Sequence, residues 1–178
     1  MRAVVAILCV LTLPVLMESC FLWHEDGGTQ PTFSILNFTL KTEQISTKKP
    51  PTSSIRASDV RFGLDVVRII TLYRGSQTMG AYADQLPPAS VESITSFKIT
   101  SDSAVETLGG QTFEAGSDLN SIFNSDEFYD NKVLYWTYWS SLSVPISKAQ
   151  THNFKFSITL SDGRYFDLQS GSFELLPD

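Results

Sequence analysis

The feature that most constrains the fold is a long alternation of apolar and polar residues near the C terminus. The stretch HNFKFSITLSDGRYFDLQSGSFELL, residues 152–176, has an apolar residue at almost every second position, which is the period of a half-buried β-strand. Asp162-Gly163 separates two such runs, and an Asp-Gly pair in this setting predicts a two-residue hairpin with a type I′ turn. This end of the chain is therefore expected to form two antiparallel strands.

Shorter alternating runs follow one another from Pro31 onwards, and their β-branched and aromatic residues favour strand over helix. The runs are TFSILNFTLK, DVRFGLDVVRIITLYRG, VESITSFKITSD and KVLYWTYWSSLSVPI. In the second run, the doubled pairs Val66-Val67 and Ile69-Ile70 suggest a bulge or a bend. Many short strands separated by turns rich in Gly or Pro predict an all-β fold, a single antiparallel β-sandwich of immunoglobulin-like or similar type.

One segment has helical rather than strand character. In AGSDLNSIF, Ser117 is expected to cap a short helix, and Asp118 suits the positive N-terminal end of that helix. Three apolar residues of the segment would share one helical face, namely Leu119, Ile122 and Phe123. The predicted sandwich therefore contains one short helix.

The N terminus has the proportions of a secretory signal. Arg2 supplies one positive charge, and an apolar run then extends from Ala3 to Met17. This run is shorter than the roughly twenty apolar residues that a membrane span needs, and Pro14 would break a buried helix. Residues 1–19 are predicted to be a signal peptide that is removed from the mature protein.

The cysteine that follows this run, Cys20, is expected to carry lipid. A cut before Cys20 would place bulky Met17 where signal peptidase I prefers a small residue, whereas Met17-Glu18-Ser19-Cys20 resembles a bacterial lipobox. Cys9 leaves with the signal peptide, so Cys20 has no partner for a disulfide within the mature chain. Two or more acyl chains would anchor the protein stably to the outer membrane, whereas a single chain holds only marginally.

Residues 20–31 are expected to form a tether between the lipid and the sandwich, which would occupy residues 32–178. Two glycines and Pro31 disfavour a packed element in the tether. Glu25-Asp26 resembles the acidic signal that directs some lipoproteins of the Bacteroidota to the cell surface, but an ordinary solvated linker accounts for these residues equally well. The side of the outer membrane is therefore left open.

Composition excludes some partners and limits the number of domains. Removal of residues 1–19 takes away one basic and one acidic residue, so the net charge stays at −6. An acidic chain without a basic stripe is a poor nucleic-acid binder, because affinity for nucleic acid comes from neutralising phosphates. Membrane contact is expected through the lipid alone, and the remaining length suits one domain.

The sequence offers little for catalysis or metal binding. His24 falls in the tether, which leaves His152 for any Ser-His-Asp arrangement, and there is no G-x-S-x-G motif. The oxygen-rich stretch at residues 126–131 lacks the spacing of a calcium loop, and ligands for zinc are scarce. We expect no enzyme activity, no cofactor and no bound metal.

The run YWTYW, residues 135–139, is the strongest candidate for a binding site. In a single strand, Tyr135 and Trp139 would share one face, and Trp136 and Tyr138 would share the other. One set must pack inward, since sandwich strands often bury an aromatic residue. The other set would either cover the second sheet or stand exposed, where Trp136, Tyr138 or Trp139 could stack on sugar rings.

Two glycosylation patterns are present. Asp102-Ser103-Ala104 resembles the tripeptide that the Bacteroidota use for O-glycosylation of exported proteins, with Ser103 as the acceptor at the end of a predicted strand. Asn37-Phe38-Thr39 fits the N-glycosylation pattern. Asn37 falls inside a predicted strand of a chain with a bacterial type of N terminus, so Ser103 is the candidate that we retain.

The phrases ITSFKITSD, AGSDLNSIF and NFKFSITLSDGRYF resemble an uncharacterised family of Bacteroidota lipoproteins, known only as a domain of unknown function. The resemblance covers most of the mature chain and implies an envelope address and an all-β fold, but no activity. The sequence therefore favours a cell-envelope lipoprotein whose sandwich acts in binding or assembly, with an envelope protein or a glycan as partner. A glycan-binding module that uses the aromatic run is the alternative.

Overall fold

The computed structural model describes residues 32–51, 53–70, 89–126, 132–134 and 137–178, and all of them belong to one compact unit. The predicted signal peptide, Cys20 and the tether lie outside these ranges. Within the ranges, no helix has the length and apolar composition that crossing a membrane requires.

The described residues form eleven β-strands and two 3₁₀ turns. The strands are β1 (Thr32–Gln44), β2 (Ser54–Arg56), β3 (Val60–Ile70), β4 (Ala89–Ser101), β5 (Val105–Glu106), β6 (Thr112–Phe113), β7 (Phe123–Ser125), β8 (Lys132–Leu134), β9 (Tyr138–Leu142), β10 (Gln150–Leu160) and β11 (Tyr165–Leu176). The 3₁₀ turns are Ala57–Asp59 and Asn120–Ile122.

These strands form a β-sandwich, as the alternation predicts. The hydrogen-bonded order is β2-β11-β10-β4-β1-β3-β9-β7, with β8 paired to β4 and a separate β5-β6 pair. Strand β4 belongs to both layers, because Ala89 and Ser90 pair with β1 whereas residues 94–101 pair with β10. The layer β2-β11-β10-β4 therefore faces the layer β1-β3-β9-β7. Pairing is antiparallel except for the short contacts β1-β4 and β2-β11.

Aromatic rings fill the space between the two layers. Phe62 of β3 contacts Phe154 and Phe156 of β10 at centroid distances of 5.3 and 5.2 Å, and Phe173 of β11 at 6.3 Å. These rings come from strands that are not hydrogen-bonded neighbours, so their contacts hold one layer against the other. Offset and edge-on ring pairs of this kind add about 0.5–1.5 kcal/mol each beyond their buried area.

The bulge lies on a different strand from the predicted one. Pairing between β1 and β3 runs without interruption along β3 but skips Leu36 of β1, between Ile35 and Asn37. Val66-Val67 and Ile69-Ile70 therefore pair regularly, and the predicted bulge in that run is wrong. The doubled apolar residues reflect a strand whose outer face is also partly apolar, since Val67 and Ile69 are exposed.

Two side chains supply hydrogen bonds next to this bulge. Arg164 donates to the carbonyl oxygen of Ile35 and, at 2.8 Å, to Oε1 of Glu92. Oε2 of Glu92 accepts from the backbone N–H of Ile35 at 3.1 Å. The ion pair thus satisfies both backbone groups of a buried residue in β1 and ties β1 to β4 and to the β10-β11 hairpin.

The hairpin is present, but its turn is not of the predicted type. A type I′ turn needs positive φ at both central residues, and among the described residues other than glycine only Lys48 has positive φ. The backbone N–H of Gly163 donates to the oxygen of Leu160 at 3.0 Å, and that of Leu160 donates to the oxygen of Arg164 at 2.9 Å. This is a three-residue loop in which a type I turn precedes a glycine with φ of +85°.

The predicted short helix is reduced to the single 3₁₀ turn Asn120–Ile122, which has no side-chain cap from Ser117. The side chain of Asn120 accepts from the N–H of Ile99 at 2.9 Å and donates to the oxygen of Phe97 at 2.8 Å. These bonds to β4 hold the segment close to the sheet, and Phe123 already begins strand β7. The three apolar residues of the segment are buried, as the pattern indicates.

Candidate functional site

The aromatic run does not form the single strand that the sequence predicts. Strand β8 ends at Leu134, Thr137 lies outside any strand, and β9 begins at Tyr138. Tyr135 and Trp136 lie outside the described residues, so the structure places neither side chain. The two aromatic residues of β9 still alternate: Tyr138 is 3% exposed and belongs to the core, whereas Trp139 is half-buried on the outer face.

Trp139 lies across Gly63, its neighbour on β3. A Cβ atom at position 63 would stand 2.9 Å from Cζ3 of Trp139 and 2.7 Å from Cε of Lys41, closer than packed atoms approach. The absence of a side chain therefore makes room for the indole ring. This explains the glycine in the middle of a strand, where it otherwise costs stability.

Two cations cover the Trp139 ring. The guanidinium carbon of Arg61 lies 3.9 Å from the ring centroid, and Nζ of Lys41 lies 4.9 Å from it. Arg61 is held in this position by an ion pair with Glu43 of β1. The ring is therefore already stacked by a protein side chain.

A small cavity of about 220 Å³ opens beside Trp139. We call it the Trp139 cleft; its lining is Trp139, Ile45, Arg61, Asn124, Ser125, Asp126, Ser140 and Ser141. Oδ2 of Asp126 accepts from the backbone N–H of Trp139 at 2.8 Å, so this carboxylate helps to pair β9 with the segment after β7. The rest of the acidic stretch, residues 127–131, lies outside the described residues. Within the described residues, no group of three acidic, histidine or cysteine side chains is placed to hold a metal ion.

His152 is a core residue. It is 2% exposed, its Nδ1 lies 3.0 Å from Oγ of Ser101, and its ring stacks on Phe154 at 5.4 Å. Burial lowers the pKa of His152 below its ordinary value, and nearby Asp102 offsets only part of that effect. The imidazole is thus neutral, hydrogen-bonded and shielded from solvent.

The two glycosylation patterns occupy different environments. Ser103 follows the end of β4 and is half-buried, with its backbone N–H donating to Oγ of Ser101 at 3.3 Å. The preceding Asp102 accepts from the N–H of Asn153 at 2.8 Å, which fixes this turn against β10. Asn37 lies within β1, as predicted, and its side chain accepts from the N–H of Phe38 at 2.8 Å.

A larger polar surface was not predicted from the sequence. The outer faces of β4, β10 and β11 line a groove of about 720 Å³, which we call the polar groove. Strand register places the outward side chains of this surface in three rows across the sheet, and all of them except Asp167 line the groove. The rows are Ser96–Thr159–Tyr165, Lys98–Ser157–Asp167 and Thr100–Lys155–Gln169.

Hydrogen bonds fix one end of the polar groove. Tyr165 is 57% exposed, but its hydroxyl donates to Oδ1 of Asp167 and lies 3.2 Å from Oγ of Ser157. Lys155 bonds to the other oxygen of Asp167 at 2.6 Å, and this bond raises the pKa of Lys155. Partial burial would raise the pKa of Asp167, but hydrogen bonds from Lys155, Tyr165 and Ser157 outweigh burial and lower it. The aromatic ring is therefore held in place although more than half of the residue's surface is exposed.

No protein-family model matches the sequence, and no curated protein matches it either. Among solved structures, the chain is similar to the C-terminal domain of the AgI/II polypeptide BspA of Streptococcus agalactiae, with 10% identity and a TM-score of 0.28 over 79% of this chain and 49% of that one. It is also similar to the C-terminal domain of the Streptococcus pyogenes antigen I/II-family protein AspA, with 10% identity and a TM-score of 0.28 over 79% of this chain and 46% of that one. The chain spans about half the length of these solved chains. Similarity at this level carries no information about function.

Proposed function

We propose that this protein is a lipid-anchored cell-envelope protein whose β-sandwich acts in binding or assembly rather than in catalysis. The observation that carries the proposal is the apolar N-terminal run that ends at Cys20, the one cysteine that remains after signal cleavage. The resemblance to Bacteroidota lipoproteins supports localisation in the outer membrane. The described fold begins with β1 at Thr32, so the anchored tether would join the sandwich at the start of that strand.

The position of His152 supports binding over catalysis. A general base must reach the proton that it removes, either directly or through one water molecule. His152 and Ser101 are 2% and 4% exposed, and they bond to each other inside the sandwich. The burial of the imidazole therefore supports a structural role for this pair.

Metabolic labelling tests the anchor. Cells that express the protein would be grown with a fatty-acid analogue, and membrane and soluble fractions would be compared for the parent and for Cys20→Ala. We expect the parent to be labelled and retained in the membrane, and Cys20→Ala to lose both properties. Cys9→Ala is the matched control, because Cys9 lies within the predicted signal peptide and should leave labelling unchanged. A labelled Cys20→Ala protein would show that the anchor lies elsewhere.

A glycan is the second candidate partner, and the described residues favour a contact other than Tyr138 and Trp139. Tyr138 is in the core and Arg61 stacks on the ring of Trp139, so both rings already have contacts within the protein, whereas Trp136 lies outside the described residues. Tyr165 in the polar groove is exposed and held in place by its hydroxyl. A glycan-binding role is therefore better supported at the polar groove than at the Trp139 cleft.

A further inference from the structure

The lining of the polar groove is suited to a polyhydroxylated ligand. Its side chains are mainly hydroxyls and amides, with lysines and an exposed phenol. The cores of protein–protein interfaces are instead depleted in Ser and Lys and enriched in aromatic residues, Met and Arg. Hydroxyl and amide groups act as both donors and acceptors, as the hydroxyls of a sugar require. The lining therefore favours a saccharide over a protein partner.

Charge in the groove points to an anionic saccharide. Lys155 is paired with Asp167, and Asp102 adds one carboxylate to the lining, where it accepts from the backbone N–H of Asn153. Among the described residues, no carboxylate lies within salt-bridge distance of Lys98, in the middle row. Lys98 is thus a cation of the groove that has no carboxylate partner among the described residues, and it matches a carboxylate or sulfate of the ligand.

The second contact is the ring of Tyr165. An aromatic face packs on the C–H face of a pyranose, and this ring loses little freedom on binding because its hydroxyl is already bonded. Tyr165 lies two strands and one row away from Lys98. Strand spacing and rise per residue separate their Cα atoms by roughly 12 Å. A ligand that reaches both residues is an oligosaccharide rather than a single sugar.

We propose that the polar groove binds an acidic polysaccharide, with Lys98 pairing its anionic group and Tyr165 stacking on a neighbouring ring. The inference rests on the proposal that the sandwich is a binding module, and it names the ligand class. Ser96 and Thr100 flank Lys98 on the same face of β4 and would bond to the sugar hydroxyls.

Titration of the full mature protein, purified in detergent, tests the proposal. The acidic probes would be polygalacturonate, alginate and hyaluronan, and the neutral probe would be dextran. We expect binding to at least one acidic probe that weakens with added salt, and no comparable binding to dextran. Lys98→Gln and Tyr165→Leu should each weaken binding about tenfold or more, since a hydrogen bond to a charged group and a stacked ring each contribute at this level.

Matched variants keep the result interpretable. Lys148→Gln removes one positive charge outside the groove, where Lys148 pairs with Glu106, and should leave binding unchanged. Equal thermal melts would confirm that the variants are folded. The proposal is overturned if no acidic probe binds, if dextran binds equally well, or if Lys98→Gln and Tyr165→Leu bind like the parent. The labelling of Cys20 is a separate readout, so failure of the groove and failure of the anchor are distinguishable.

Discussion

Substitution of Gly163 isolates the cost of backbone strain in the β10-β11 hairpin. Gly163 has φ of +85°, and a Cβ atom built there would meet nothing within 4 Å. The penalty for a side chain is therefore conformational rather than steric. An L-residue in this left-handed region costs about 1–2 kcal/mol. Ala also lowers the conformational entropy of the unfolded chain, which stabilises the folded state by about 0.4–1 kcal/mol.

Gly163→Ala should accordingly destabilise the fold by at most about 1.6 kcal/mol, and Gly163→Val by more, since a β-branched residue adopts positive φ least readily. For a domain of this size, 1 kcal/mol lowers Tm by about 2–4 °C. Chemical denaturation of the purified protein would give both the midpoint and the slope, so that a change in stability can be separated from a change in the unfolded state.

Two controls test the reasoning. Asn tolerates positive φ, so Gly163→Asn should recover much of the stability that Val loses. Gly109 is also exposed, but it has no positive φ and its nearest contact would be Oγ1 of Thr107 at 3.8 Å. Gly109→Ala should therefore be neutral or slightly stabilising. If Gly163→Val unfolds at the same denaturant concentration as the parent, the assigned turn geometry is refuted.

Two further predictions concern the aromatic pair of β9 and the buried histidine. Tyr138→Ala should cost about 3–5 kcal/mol in stability, as for other large core aromatics, whereas Trp139→Ala should cost clearly less because its half-buried ring packs on the outer face; similar melts for both would contradict this assignment. Burial lowers the pKa of His152 in the folded protein. When the pH is lowered through the ordinary value of 6.5, the unfolded chain binds a proton more readily than the folded protein does. The free energy of unfolding should therefore decrease until the pH is below the folded-state pKa. Denaturation midpoints at pH 7.5 and 5 should show this loss in the parent and a smaller loss in His152→Gln, and equal losses would exclude His152 as the cause.

Local pattern was sufficient for the strands but not for the connections between them. The alternation through residues 152–176 predicts β10 and β11 because one face of each is buried, and burial imposes a period of two. The turn depends on whether Asp162 takes negative or positive φ, and Asp-Gly is compatible with both arrangements. Likewise, nothing local in YWTYW signals that β8 pairs with β4 while β9 pairs with β3.

The polar groove could not be predicted because register creates it. Lys98, Ser157 and Asp167 are each an ordinary outward residue of a half-buried strand, and only the pairing of β4, β10 and β11 places them in one row. Tyr165 shows the same limit: as a single exposed aromatic after a turn, it carries less sequence signal than a cluster of tryptophans. The feature that distinguishes Tyr165 is that its hydroxyl bonds to residues of β10 and β11, and only the fold brings these groups together.

Lipid on Cys20 is the central claim, and the intact mass of the protein purified from membranes tests it most directly. We predict a mature chain that begins at Cys20, with a mass increased by a thioether-linked diacylglycerol and, where the amino group is acylated, by one further acyl chain. Fragmentation should place all of the added mass on the N-terminal residue. A mature chain that begins at another residue, or one that begins at Cys20 without added mass, would contradict the account.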